Sequence, residues 1–192
     1  MVDEQRNKSI VMELATNSVR NTTVSTSNDD LYFEVVTRFW HPNLTKINRL
    51  DPQTGAMTTV CEIENKGKET RIRFSTDIAK DSKYGKSSLG EWKSVEDILQ
   101  LAPERHGGVL VDSDGTEYRW KTHNRRFQLV RCGDDTKLPI VKYHRYKRHL
   151  GFWRMAKLAT LEIRPNNIHS LERLIASFLL VERQRRHHAY AY

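Results

Sequence analysis

The chain has 192 residues, of which 38% are hydrophobic and 29% charged, a balance that suits one folded domain with or without a tail. No apolar run reaches the ~20 residues needed to cross a bilayer as a helix, and two cysteines, Cys61 and Cys132, give no framework for a disulfide-rich fold. The net charge of +8 is uneven: residues 1–30 hold three Lys/Arg and five Asp/Glu, so the excess of cations lies in the remainder. A basic domain attracts anions in general, among them nucleic acid, phosphoinositides and acidic proteins, although the same charge also serves solubility alone.

The N-terminus, MVDEQRNKSIVMELA, carries acids near its start and no sustained apolar region, so no secretory signal is expected. The expected place is inside the cell, in the cytoplasm or peripheral to a membrane. Ile10 to Leu14 is a short apolar run that fits an added edge strand or a disordered tail. Residues 15–30 are mostly Thr, Ser, Asn and Asp, and read as a linker because they bury too little apolar surface to offset ordering. Residues 1–30 are therefore expected to be a disordered or loosely attached tail. The domain should run from 31 to 186, with 187–192 as a second tail.

From Leu31 the pattern alternates with period two, which predicts strands. Leu31–Val36, Leu44–Leu50, Met57–Glu64 and Thr70–Phe74 are the first four, with Asp51-Pro52-Gln53-Thr54-Gly55 and Asn65-Lys66-Gly67 as turns between them. Residues 75–91 read as a loop. Ser94 to Leu101 reads as a short helix with Ser94 as its N-cap and acids in its first turn, ended by Pro103. Two hairpins follow: Gly108–Val111 with Thr116–Lys121 across Asp112-Ser-Asp-Gly115, and Arg126–Arg131 with Pro139–Tyr146 across Cys132-Gly-Asp-Asp135. Lys157–Ile163 is the last, making about nine strands.

The chain ends in IHSLERLIASFLLVERQRR, residues 168–186. On a helix, Leu171, Ile175 and Phe178 fall together, Leu180 lies opposite Leu171, and Leu174, Leu179 and Val181 fill the flanks. A helix apolar all round must be buried all round. The expected fold is thus mainly β: an antiparallel barrel of nine to twelve strands around this helix.

The order GTEYRWK, RRFQLV, VKYHR, KLATLEI and LIASFLLVERQRR, with INRLDPQTG before it, resembles a fungal family of unknown function related to the tubby-like, LURP-one-like and scramblase-like superfamily. The resemblance covers Leu31 to Arg186 and implies a twelve-stranded tubby-like barrel around a hydrophobic central helix. It carries no established activity. Tubby-like relatives bind phosphoinositides and scramblase relatives act at membranes, but the cysteine-rich stretch and membrane-inserting end of the scramblases have no counterpart in this sequence.

Other chemistry leaves weak traces. Gly85-Lys86-Ser87 ends like a P-loop, but Lys80 stands where its first glycine belongs. No Cys/His set has zinc spacing, and neither metal nor cofactor is expected. The informative stretch is Thr136–Leu161, with seven Lys/Arg, no acid, and Tyr143, Tyr146, Phe152 and Trp153 interleaved. Within it Lys142, Arg145, Lys147 and Arg148 are the candidate headgroup-binding residues, on a strand whose cations on both faces suggest an edge or a rim. Three functions follow as expectations: a non-enzymatic module binding anionic phospholipid or an acidic protein, a nucleic-acid-binding protein using the same patch, or an enzyme of unrecognised class with a ligand at the barrel mouth. The same residues also fit a solvated strand pair whose aromatics are core.

Overall fold

The computed structural model describes residues 9–67, 69–75, 89–102, 107–123, 126–135, 138–146, 157–164 and 170–189, the last two as helix backbone only. One arm of the chain runs β1 (Ile10–Leu14), β2 (Thr22–Ser25), β3 (Tyr32–Thr37), β4 (Leu44–Leu50), β5 (Met57–Lys66), β6 (Glu69–Phe74) and β7 (Lys93–Ser94). The other runs β8 (Leu99–Ala102), β9 (Gly107–Val111), β10 (Glu117–His123), β11 (Arg126–Arg131), β12 (Pro139–His144) and β13 (Ala159–Ile163), and α1 (Leu171–Ala189) closes the chain. All thirteen strands form one antiparallel sheet, in the order β7-β6-β5-β4-β3-β2-β1-β13-β12-β11-β10-β9-β8. Each arm is a meander, and β1 joins them by pairing with β13, Ile10 opposite Ile163 and Leu14 opposite Ala159.

Chain connectivity dictates the shape of this sheet. Laid flat, thirteen strands at ~4.8 Å spacing would span roughly 58 Å. Yet β7 and β8 are its two edges, and Ser94 and Leu99 are joined by a stretch that reaches at most about 18 Å. The sheet must therefore roll until its edges are near one another. The hydrogen-bond ladder stays open at that seam, which is sealed by the single 3-10 turn Val95–Asp97 and the buried side chains of Val95, Ile98 and Leu99.

The helix lies inside the roll. Nine consecutive residues, 174–182, are buried. A helix resting on a surface shows burial with a period of 3.6; an uninterrupted run means protein on every side. Leu174, Ile175, Phe178, Leu179 and Val181 are fully buried, Leu180 on the far side is only 9% exposed, and Leu171 at the entrance is half-buried. Strands from both arms meet it: Phe178 packs against Tyr143 of β12 at 4.8 Å between ring centroids, Trp120 of β10 donates its indole N–H to Ser177 Oγ at 3.0 Å, and Arg173 lies over the Phe74 ring of β6.

Two regions differ from the sequence reading. The N-terminal stretch taken as a loose tail and linker contains β1 and β2, which sit in the middle of the sheet between β13 and β3. Composition hides them, because only Met12, Leu14, Val19 and Val24 are buried apolar residues there. Thr22 faces the core as well, and Thr16 N–H is donated to its hydroxyl at 3.1 Å. Ser94 to Leu101 is not a helix. Ser94 does cap, accepting the Glu96 N–H at 3.3 Å, but the turn lasts three residues and Leu99 then enters β8 to pair with Leu110. Sealing the seam and completing the ladder outweigh a helix signal this short. These two regions supply the four strands beyond the nine expected.

The outer face of β4, β5 and β6 carries a polar ladder. Glu62 is buried on it between Lys46 Nζ at 2.9 Å and Arg73 Nη2 at 2.6 Å, and Arg73 stacks on Trp92. Burial alone would raise the Glu62 carboxyl, but the hydrogen bonds and charges of Lys46 and Arg73 outweigh it and hold it below its ordinary value.

Candidate functional site

In an antiparallel meander, alternate turns fall at the same end of the sheet. The registers place turns 26–31, 51–56, 112–116 and 132–138 at one end, together with the start of α1. The strand ends that flank the connections β1–β2, β3–β4, β5–β6, β10–β11 and β12–β13 lie at the other, together with the end of α1. Charge divides between these ends. The first carries Asp29, Asp30, Asp51, Asp112, Asp114, Asp134 and Asp135, which outnumber its described cations Arg49, Arg131, Arg164 and Arg173. The second carries the exposed cations Arg20, Arg38, Lys66, Arg126, Arg145 and Lys157, and the half-buried Arg183, Arg185 and Arg186. The described acids at or beside it are Glu69, opposite Lys66 in the register, Glu64, which pairs with Arg71, Glu13 near the end of β1, and Glu182.

The acids have local structural reasons. Asp51 accepts the Gln53 N–H at 2.9 Å and the Thr54 hydroxyl at 2.8 Å, and these bonds hold its carboxyl below the usual value. Asp112 accepts the Ser113 N–H and Asp114 the Thr116 N–H, beside Gly115 with its positive φ. Tight turns of this kind recruit Asp as part of their own geometry.

At the other end the helix terminus organises the cations. A helix C-terminus carries partial negative charge and favours basic side chains in its last turns. Glu182 is buried there, bridged by Arg185 Nη1 at 2.6 Å and Arg186 Nε at 3.0 Å, and the Arg185 guanidinium lies 4.3 Å from the centre of the Phe127 ring. Arg186 also donates to the carbonyl and side-chain oxygens of Asn17. Arg183 donates to the Val19 carbonyl at 3.1 Å and to the Thr45 hydroxyl at 2.9 Å. Burial, and to a lesser degree the neighbouring Arg20, brings its pKa down to about 10. The six exposed cations take no part in the ion pairs of the described residues.

Of the four headgroup residues expected from sequence, Lys147 and Arg148 lie outside the described residues, as do Phe152 and Trp153. Lys142 projects from the middle of β12 between buried Val141 and Tyr143, and pairs with Glu162 of β13 at 3.2 Å. Burial would raise Glu162, but Lys142 and His144 outweigh it and hold the carboxyl down. Arg145 stands past the end of β12, exposed at the cationic end. β12 is not an edge strand, since it lies between β11 and β13; its cations on two sides reflect the strand ending at His144. Tyr143 is core. Lys142 and Arg145 thus sit in different surroundings, and Arg145 has Arg20, Arg38, Arg126 and the helix arginines as its company at that end. A readable signal for this existed: once the chain is taken as a meander, alternate turns in the sequence hold Arg, Lys and His, and the intervening ones hold Asp.

The acidic end has a cleft of about 800 Å³ lined by Arg49, Asp51, Ser113, Ser170, Glu172 and Arg173, among others. Its charged groups have partners: Arg49 pairs with Glu172 at 2.9 Å, Arg173 donates to the Val111 carbonyl at 3.2 Å, and Asp51 is held by its own turn. Ser170 caps the helix by accepting the Arg173 N–H. Cys61 is in the core, where burial pushes its thiol far up and away from nucleophilic use. Among the described residues no group of three or more His, Cys, Asp or Glu side chains could hold a metal ion, and no helix is long and apolar enough to cross a membrane.

A model of a family of unknown function, DUF6593, matches residues 17–187. The chain belongs to that family. In this DUF6593 protein the match takes in every strand from β2 onward and the buried part of α1, so both Arg20 and the helix arginines lie within the family's common region. No curated protein and no solved structure matches the chain.

Proposed function

We propose that this protein is a non-enzymatic, tubby-like module that binds anionic phospholipid through the cationic end of its rolled sheet. The observation that carries the reading is the convergence of Arg20, Arg38, Lys66, Arg126, Arg145 and Lys157 around the end of α1. They come from five separate connections, and among the described residues none of them is in an ion pair, Arg38 alone stacking on a ring, that of Trp40. Each basic residue held near an anionic membrane contributes about 1 kcal/mol, falling off within a Debye length of roughly 8 Å. A cationic disc at one end of a barrel can bring all of its charges to a flat surface together. The tubby-like assignment is supported by the buried, all-round apolar helix inside a rolled antiparallel sheet. The non-enzymatic part is supported by the structural engagement of the charged groups at the cleft, Arg49 with Glu172, Arg173 with the Val111 carbonyl and Asp51 with its own turn.

The test is co-sedimentation with phosphatidylcholine vesicles with and without phosphoinositide or phosphatidylserine. The Arg20→Glu, Arg145→Glu double variant should lose well over tenfold in affinity for the anionic vesicles, by the per-residue value above, with its melting curve retained. Equal binding by a folded double variant, or no binding by the parent, overturns the reading. Tight binding of an oligonucleotide with a steep salt dependence, in place of vesicles, would assign the cationic end to nucleic acid instead.

A further inference from the structure

Phe39 and Trp40 sit at the tip of the β3–β4 turn and are 85% and 57% exposed. They touch one another edge to face at 5.0 Å, and neither belongs to the hydrophobic core. Large aromatic side chains left in water in this way contribute little to folding, although their burial would be worth more than that of most residue types. The turn beneath them is nonetheless well braced. His41 N–H is donated to the Arg38 carbonyl and Leu44 N–H to the His41 carbonyl, while Thr37 and Thr45 share a hydroxyl hydrogen bond at 2.8 Å.

The position of the tip matters as much as its exposure. Thr45 at its base is the hydroxyl that accepts from Arg183, and Thr37 donates to the Arg20 carbonyl. The tip therefore rises from the cationic end, with the Arg38 guanidinium 5.4 Å from the centre of the Trp40 ring. At the acidic end the exposed large apolar residues, Met57 and Leu138, are aliphatic and come from separate turns.

We infer that the Phe39–Trp40 tip is a membrane anchor, entering the boundary between headgroups and acyl chains while the surrounding arginines hold the headgroups. The inference rests on the lipid reading above. Its occupant follows from charge and shape together: Trp and Phe favour the interfacial layer of a bilayer, and Arg beside them favours an anionic leaflet. The acidic end then points away from the membrane, so the charge separation of the whole molecule fixes one orientation on the surface.

The probe is a phosphatidylcholine–phosphatidylserine vesicle with acyl chains brominated near the headgroup, a quencher of tryptophan. Bound parent protein should show quenched emission, and Trp40→Phe should lose that quenching while keeping most of its binding. Phe39→Ser with Trp40→Ser should bind about tenfold more weakly or worse, with an unchanged melting curve. Parent binding with no quenching at Trp40, or full binding by a folded double serine variant, overturns the anchor and leaves the lipid reading standing. A parent that ignores anionic vesicles overturns both. Because the quenching readout uses the parent and Trp40→Phe, it decides the matter even where the double variant is destabilised.

Discussion

The two ends of the rolled sheet are built from the same elements and put to different uses. Both consist of hairpin turns ringed around one terminus of a buried helix. At the acidic end the charged side chains bond to the turns that carry them, as Asp51 does to Gln53 and Thr54 and Asp114 to Thr116. At the cationic end Arg20, Arg38, Arg126 and Arg145 face water. Charge that stabilises its own turn needs no other explanation. Charge that a fold leaves unspent at one end, across turns far apart in sequence, is where binding is to be sought. The helix dipole reinforces the division, since its positive N-terminus lies among the acids and its negative C-terminus among the arginines.

The largest effect is expected from breaking the element that joins the two arms. Deleting residues 1–28 removes β1 and β2, leaving β3 and β13 with unpaired inner edges and exposing Met12, Leu14 and Val24 partners in the core. Three buried apolar side chains at about 1.5–3 kcal/mol each approach the total stability of about 5–15 kcal/mol for a typical domain. The product should be insoluble or lack a cooperative thermal transition. A soluble truncate melting like the parent would show that the arms cohere without β1, and that the two ends need not share one rigid frame.

The deletion also measures how far the sequence could be read. β4 and β11 are legible to the residue, because Leu44–Leu50 and Arg126–Arg131 are short segments with apolar residues bounded by strong turn signals. The enclosed helix is legible because Leu180, opposite Leu171, demands burial. β1 and β2 are not, since polar strands such as Thr22–Ser25 acquire their structure from neighbours and not from propensity. The candidate site is legible only in part. Arg145 was found through local charge density, but Arg20, Arg38 and Arg126 become neighbours of the helix end only through the topology.

A substitution in the helix tests whether the strut between the ends is enclosed. Leu180 lines, with Ile72, Ile98 and Leu99, a void too small for a ligand near the seam between β7 and β8. Leu180→Asp would bury a carboxylate in this apolar seam, where Arg173 is the cation lining the same void, at a cost of several kcal/mol, against about half a kcal/mol on an exposed face. Chemical denaturation reads the difference directly. A midpoint close to the parent's would mean that water reaches this side of α1 and that the seam is open.

Acidification should separate the two ends without mutation. The Asp51 carboxyl is held below its ordinary value of 3.8 by the Gln53 N–H and the Thr54 hydroxyl, so its folded-state pKa is lower than its unfolded one. A group of this sign contributes stability that is present above the unfolded pKa and lost as pH falls through the folded pKa. Glu62 behaves in the same sense from a reference of 4.5. Below about pH 4 the aspartate turns should therefore loosen first, while arginines at the other end keep their charge. Amide exchange, compared at Gln53 and in the Arg38–Leu44 turn after correction for intrinsic pH dependence, should show protection lost earlier at Gln53. Loss in the reverse order would mean that the aspartate bonds contribute nothing to their turns.

The smallest effect is expected at Lys142, and it separates charge that is available from charge that is merely present. Lys142 lies on the same strand as the residues leading to Arg145, and charge counting along the sequence gives the two equal weight. In the fold its ammonium is 3.2 Å from Glu162, whose carboxyl it helps keep ionised, and the pair is nearly neutral from a distance. Lys142→Gln leaves Glu162 with His144, which is 3.5 Å away. Partly exposed pairs of this kind are worth about 0–1 kcal/mol, so the melting temperature should shift little. Anionic-vesicle affinity should fall by less than about threefold, because the lost charge stood beside an acid and away from the exposed cations. Arg145→Gln, a change of equal formal charge a short distance along the chain, should cost about fivefold. If the two variants weaken binding equally, net charge alone governs attraction to the vesicle, and the division between the ends has no part in it.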